Sequence, residues 1–271
     1  MKKIFPVFVA VTALLTACHD NNKSSDSDVT VPAIPPPAAI SYSLVKVYPH
    51  DTSSYTQGLI WQNNKLYEGT GMRGVSKLRQ VDINTGKPIR EITLPATDFG
   101  EGITLLNNKI YQLTWEEHKV YVYDASTFKK LQELPWTYEG WGLTNNGKQL
   151  IVTTSDSNLY FVNPETFRIE KTVGVSDNNG YVASINELEY VNGSIYANVY
   201  GADYIIKINP ESGKVEGRVD LSDILQKAGA AYDPRQVDSG YVLNGIAYDA
   251  AKNSFYITGK RWPILCEVKF N

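Results

Sequence analysis

One short phrase returns five times along this chain, and a repeat of that kind restricts the fold more than any other feature of the sequence. The phrase is a turn containing Asn with Lys or Gly, followed by a strand. Its copies are Asn63-Asn64-Lys65-Leu66-Tyr67, Asn107-Asn108-Lys109-Ile110-Tyr111, Asn146-Gly147-Lys148-Gln149-Leu150, Asn192-Gly193-Ser194-Ile195-Tyr196 and Lys252-Asn253-Ser254-Phe255-Tyr256. A strand precedes each copy, as in Gly58-Leu59-Ile60-Trp61 and Gly102-Ile103-Thr104-Leu105. Asn-Asn and Asn-Gly tolerate the positive φ of tight hairpins, so the two strands pair directly. A third strand follows, such as Lys119-Val120-Tyr121-Val122-Tyr123, then a turn such as Asn84-Thr85-Gly86-Lys87 and a fourth strand.

Four strands recurring about every 40–45 residues match a propeller blade. The predicted fold class is therefore all-β, a five-bladed β-propeller. The fifth repeat stops after its third strand, Leu265–Phe270, and the missing strand is supplied by Ser41–Val47. Closure by this N-terminal strand removes a free sheet edge. A β-sandwich of eight to ten strands is the rival, but it predicts no repeat of this regularity. The longest interval, between repeats four and five, holds a short helix that Ser222 is placed to cap.

The ends indicate export. Met1-Lys2-Lys3, an apolar run from Ile4 to Leu15, and Leu15-Thr16-Ala17-Cys18 read as a signal peptide. The run is shorter than the roughly 20 residues of a membrane span. Leu-Thr-Ala-Cys resembles the bacterial lipobox, which implies lipid attachment (several acyl chains, palmitate among them) at Cys18. An ordinary signal peptide with a chance cysteine is the alternative. His19 follows Cys18 where an inner-membrane retention signal has aspartate, so outer-membrane anchoring facing the periplasm is expected. The expected organisation is a signal peptide at 1–17, a lipid-anchored flexible tether at 18–40 containing Pro35-Pro36-Pro37, and the propeller at 41–271.

With Cys18 on lipid, Cys266 has no disulfide partner. A formal charge of −3 gives no basic footprint for nucleic acid. The three histidines, His19, His50 and His118, have no ligand spacing, so no metal and no cofactor are expected. Glu116-Glu117 reads as a solvated turn. In a propeller, polar residues entering the innermost strands converge at one mouth. Here they are Gln57, Glu101, Glu139, Trp141, Asn186-Glu187 and Asn244. The adjoining glycines read as close-packing positions at the axis. A carboxylate such as Glu101 in an aromatic-walled pocket has a raised pKa and is suited to carrying protons.

Seven stretches in order resemble the glutamine cyclotransferase family of plant and bacterial type. They are Tyr55-Thr56-Gln57-Gly58-Leu59, Phe99-Gly100-Glu101-Gly102-Ile103-Thr104, Tyr111-Gln112-Leu113-Thr114-Trp115, Glu139-Gly140-Trp141-Gly142-Leu143-Thr144, Ile185-Asn186-Glu187-Leu188-Glu189, Leu243-Asn244-Gly245-Ile246-Ala247 and Thr258-Gly259-Lys260-Arg261-Trp262-Pro263. The resemblance implies a five-bladed propeller and an enzyme that cyclises the N-terminal glutamine of peptides or proteins to pyroglutamate, releasing ammonia without a metal. It implies Glu101 as proton carrier and Lys260 as a second catalytic group. Gln57, Trp115, Trp141, Asn186 and Tyr200 would bind substrate. Two positions depart from the family pattern: Tyr200 stands where a tryptophan is usual, and Tyr55 where a phenylalanine is usual. The expected assembly is a monomer. A non-catalytic peptide- or sugar-binding propeller and an envelope scaffold are the alternative readings.

Overall fold

The computed structural model describes residues 34–230 and 240–271. Its first strands are β1 (Ala38–Ile40) and β2 (Tyr42–Pro49). Blade one follows as β3 (Thr56–Gln62), β4 (Lys65–Thr70), β5 (Lys77–Asp82) and β6 (Lys87–Thr93). Blade two is β7 (Gly100–Leu106), β8 (Lys109–Thr114), β9 (Lys119–Asp124) and β10 (Lys130–Pro135). Blade three is β11 (Leu143–Asn145), β12 (Leu150–Val152), β13 (Asn158–Val162) and β14 (Ile169–Gly174). A small hairpin, β15 (Ser176–Asp177) and β16 (Gly180–Tyr181), leads to blade four. That blade comprises β17 (Ile185–Val191), β18 (Ser194–Val199), β19 (Tyr204–Ile208) and β20 (Val215–Asp220). Helix α1 (Ile224–Lys227) precedes blade five, which contains β21 (Leu243–Asp249), β22 (Ser254–Gly259) and β23 (Ile264–Phe270).

The hairpins form where the Asn pairs predict them. Asn63 and Asn64 have φ of 52° and 58°, and Asn107 and Asn108 have 51° and 60°, the left-handed values a two-residue turn requires. The outer turns use the same region less predictably: Gly86 and Gly213 occupy it in blades one and four, but Phe128 and Phe167 occupy it in blades two and three. Both phenylalanines are buried, so packing offsets a backbone strain of about 1–3 kcal/mol.

Ring closure occurs as the sequence suggests. β2 pairs antiparallel with β23, from Tyr42 opposite Phe270 to Pro49 opposite Ile264, and completes blade five in the order β2-β23-β22-β21. Ordered structure begins before residue 41, however. Ala38–Ile40 form β1, which runs parallel to β20 and adds a fifth strand to blade four. A Cβ on Gly217 would lie 2.5 Å from Ile40 Cδ1, so the glycine opens the space this strand occupies. The expected tether thus ends earlier than residue 40; its remaining stretch to Ala33, the signal peptide and Cys18 lie outside the described residues.

The core is divided into five clusters, one between each pair of neighbouring blades. Tyr67, Leu78, Ile103 and Ile110 fill the first junction, and Leu113, Val122, Leu143 and Leu150 the second. Ile151, Phe161, Ile195 and Ile206 fill the third, Ile205, Val219, Ile246 and Ile257 the fourth, and Leu59, Leu66, Tyr256 and Leu265 the last. Ser222 does not cap α1: Asp223 holds the cap position without a side-chain cap bond. The Asp223 carboxylate is already taken by the Tyr42 hydroxyl and by Lys227 at 2.8 Å.

Candidate active site

The innermost strands are irregular where the polar residues enter. Pairing slips between Thr56 and Gly58 in β3, Gly100 and Ile103 in β7, Ile185 and Leu188 in β17, and Leu243 and Ile246 in β21. The residues caught in these bulges are Gln57, Glu101-Gly102, Asn186-Glu187 and Asn244-Gly245. A bulge turns a side chain away from the regular alternation of a strand. Here it lets β3, β7 and β17 aim Gln57, Glu101 and Asn186 at one cavity, with Asn244 of β21 beneath. The glycines near the axis are packing positions: a Cβ on Gly142, just before β11, would fall 1.8 Å from the Asn186 carbonyl oxygen, and one on Gly102 would fall 2.6 Å from the Leu143 nitrogen.

The result is a cavity of about 290 Å³ lined by Tyr55, Gln57, Phe99, Glu101, Trp115, Trp141, Asn186, Tyr200 and Lys260. The seven propeller residues that the family resemblance assigns to catalysis or substrate binding all line it, whereas Glu139, Glu187 and Asn244, expected at the same mouth, do not. Tyr55 and Phe99 were missed as site residues, although each precedes a bulged polar residue by two positions, a signal the motifs contained. Trp115 comes from the turn after β8, Tyr200 from the turn after β18 and Lys260 from the turn after β22.

Gln57 joins the two ionisable groups. Its Nε2 donates to Glu101 Oε1 at 3.0 Å, and its Oε1 accepts from Lys260 Nζ at 2.5 Å. Asn244 fixes the strand beneath by donating to the Thr56 carbonyl at 2.9 Å. All three cavity groups are buried, and burial moves their acidities in opposite directions. Glu101 is pushed well above the usual carboxylate value by desolvation, against the opposing pull of Lys260. Lys260 is pushed down to about 8 by desolvation, against the opposing effect of Glu101. The Lys260 ammonium also faces the rings of Tyr55 at 4.6 Å and Tyr200 at 5.5 Å, the attractive side of an aromatic quadrupole. The Asn186 Oδ1 is buried and has no protein hydrogen-bond partner.

The walls are aromatic. Phe99 packs edge-on between Tyr55 and Trp115, and Trp141 edge-on against Tyr200. Trp141 Nε1 is held by Glu139 at 3.2 Å. Glu117 differs from the solvated residue expected of that turn. It accepts from Arg73 at 2.8 Å and from the Phe99 amide at 3.3 Å. The Arg73 guanidinium in turn lies 5.5 Å from the Trp115 ring, so the pair braces this wall from outside; Glu116 is exposed, as expected. Glu187 does not reach the cavity lining. Its carboxylate stays inside the ring and accepts the amides of Leu59 at 3.1 Å and Ile246 at 2.8 Å, joining blades four, one and five.

Residues 9–270 match the family model described as glutamine cyclotransferase. The chain belongs to the glutamine cyclotransferase family. The cyclotransferase is 37% identical over 233 residues to the glutaminyl-peptide cyclotransferase of Arabidopsis thaliana, covering 83% of this chain and 70% of that relative. It is also similar to the crystal structure of Myxococcus xanthus glutaminyl cyclase, with a TM-score of 0.79 and 31% identity over 87% of this chain and 98% of the other. Family membership decides between an enzyme and a non-catalytic binding propeller: this cyclotransferase is an enzyme, and the five-bladed ring is the family's fold.

Proposed function

We propose that the enzyme converts the N-terminal glutamine of peptides or proteins to pyroglutamate with release of ammonia, using Glu101 as the proton carrier and no metal. The observation that carries this reading is the buried Glu101–Gln57–Lys260 chain inside an aromatic cavity. The substrate holds its own nucleophile, so the enzyme's tasks are to fold the terminal residue back on itself, polarise an amide and move a proton.

The free α-amine attacks the side-chain amide carbon, forming the ring C–N bond and placing negative charge on the amide oxygen. The Lys260 ammonium, turned toward the cavity by Gln57, stabilises that oxyanion. Glu101, as carboxylate, takes a proton from the attached nitrogen and returns it to the departing amino group. The old C–N bond breaks, ammonia leaves, and Glu101 ends as it began. Its raised pKa brings it closer to that of an amine, which makes transfer in both directions easier. The unpartnered Asn186 Oδ1 is suited to receive an N–H of the substrate. Trp115 and Trp141 enclose the folded glutaminyl residue and exclude water, while Tyr200, 44% exposed, meets the part of the peptide outside.

Mass spectrometry of a Gln-initiated peptide incubated with the purified domain tests this. Loss of the mass of one ammonia is expected, together with complete inertness of the same peptide acetylated at its α-amine. An unchanged mass for the free peptide would refute the proposal.

A further inference from the structure

His50 lies at the junction of blades five and one, outside the cavity, and both of its ring nitrogens face acceptors. Nδ1 is 2.7 Å from the Trp262 carbonyl oxygen, and Nε2 is 3.0 Å from Glu68 Oε1. A neutral imidazole has one N–H and satisfies only one such partner. With Glu68 ionised, as its hydrogen bonds from His50 and Thr56 favour, both partners are acceptors and the geometry assigns the imidazolium. The ring is buried, as are Glu68, Ser54 and Thr56 around it.

One partner, Trp262, belongs to the segment bearing Lys260, and the other, Glu68 of β4, holds the residues that lead into Gln57. Trp262 lies two residues after Lys260, in the turn between β22 and β23. That turn is unusual in having Arg261 at a φ of 59°, a conformation that a non-glycine residue holds only when its surroundings impose it. The surroundings here are the Arg261 amide bonded to the Ser54 carbonyl at 2.7 Å, the His50 amide bonded to the Pro263 carbonyl at 2.9 Å, and the His50 ring. On the other side Glu68 accepts from Ser54 Oγ at 3.0 Å and from Thr56 Oγ1 at 2.7 Å. Those two residues bracket Tyr55 and immediately precede Gln57. The charged groups around the ring are Glu68 from β4, Asp51 from the segment after β2, and Arg79 from β5, which reaches Asp51 and Ser54 at 3.0 and 2.7 Å.

We propose that the His50 imidazolium, acting with Glu68, is a positioning residue for the cyclisation: it locks the turn bearing Lys260 against the strand bearing Gln57, and so sets the Lys260–Gln57 contact. This inference rests on the catalytic role given to Lys260 above. The two ring bonds have separate consequences. The bond to Trp262 fixes the position of Lys260, whereas the bond to Glu68 holds the junction together.

Two substitutions separate them. In His50→Asn the amide nitrogen takes the place of Nδ1, keeping the Trp262 bond and losing Glu68. In His50→Gln it takes the place of Nε2, keeping Glu68 and losing Trp262. kcat and KM are measured on a Gln-initiated peptide for both variants and for Lys260→Ala, with melting temperatures alongside. His50→Gln is expected to lower kcat by about ten- to a hundredfold, the scale of a misplaced reactive group. His50→Asn is expected to recover most of that loss while melting at a lower temperature. A His50→Gln enzyme within about threefold of the wild-type kcat, or a His50→Asn enzyme as slow as His50→Gln, overturns the inference. If Lys260→Ala itself keeps full kcat, the failure belongs to the catalytic reading instead. Should a variant not fold, ¹⁵N NMR of the histidines in the unmodified protein still decides: protonation of both His50 nitrogens at neutral pH supports the clamp, and a neutral ring overturns it.

Discussion

Glu101 and Lys260 are shifted in opposite senses by one cause, because a buried site disfavours charge of either sign. The consequence is a working window between them. Glu101 acts as a base only when ionised, so the acid limb of kcat/KM should lie well above the ordinary carboxylate range, the direction in which burial moves it. Lys260 stabilises an oxyanion only when protonated, so an alkaline limb is expected near its value of about 8. A pH–rate profile with an acid limb at an ordinary carboxylate value would count against Glu101. Glu101→Gln keeps the shape and the Gln57 contact but carries no proton. Turnover should fall by at least about 100-fold, while KM changes far less because the lost interaction belongs to the transition state. Stability should move the other way. Between the unfolded carboxyl pKa and the raised folded one, the unfolded chain binds fewer protons, so the Glu101 contribution to stability declines as pH rises through that window. The Gln variant escapes this, and it should melt at or above the wild type at neutral pH.

Among the elements, β2 is the one that closes the ring. It shields the outer edge of blade five, and its Tyr48 hydroxyl donates to Glu267 at 2.9 Å across the closure. Removing Ser41–Pro49 would expose β23 and open the ring, so the whole domain should lose several kcal/mol or fail to fold. Removing residues 19–36 leaves every blade strand in place and should not change the melting temperature. A domain lacking 41–49 that melts like the parent would show that the ring does not depend on this strand. The buried His50–Glu68 pair lies beside the same closure. Burial alone lowers the His50 pKa, but the Glu68 charge and hydrogen bond outweigh it and the net direction is up. That contribution is complete below the unfolded histidine value and is lost as pH rises through the folded one. Glu68 is shifted down despite desolvation, so its share is lost only on acidification through its folded value.

At the scale of the whole molecule, five interblade clusters make each blade depend on two neighbours. Truncating a buried Leu or Ile at any junction should cost about 2–5 kcal/mol. No helix among the described residues is long and apolar enough to cross a membrane. Attachment through a lipidated Cys18 is the proposal that the N-terminal sequence supports. Under it, Cys18→Ser should move the protein from the membrane fraction to the soluble one, with propeller activity unchanged; sedimentation of the variant after a salt wash would rule the anchor out. No group of three or more His, Cys, Asp or Glu side chains is arranged to hold a metal among the described residues. Activity should therefore survive exhaustive EDTA treatment, and loss on chelation restored by zinc would overturn the proposed mechanism.

The sequence by itself determined the ring. Hairpin turns are local events, so Asn63-Asn64, Asn107-Asn108 and Asn192-Gly193 announce them without reference to anything distant, and the repeat supplies the blade count. The short fifth repeat and the leftover strand near the N-terminus even determined the closure. The polar residues entering the inner strands were legible too, because in a ring the same position of every blade meets at one mouth. Tertiary structure decided what those residues do to one another. Gln57 joins Glu101 to Lys260 only because the bulge of β7 and the turn after β22, 44 and 203 residues away in sequence, meet its own bulge at a common point. Such bulges depend on the fit of neighbouring strands at the axis and have no local signature. The same holds for His50, whose neighbours in sequence give no hint of Glu68 or Trp262, and for Phe128 and Phe167, which take up a glycine-like backbone because the interblade core rewards burying their rings. β1 docks on blade four because Gly217 leaves the space, a vacancy created by a residue nearly 180 positions away from the strand that fills it.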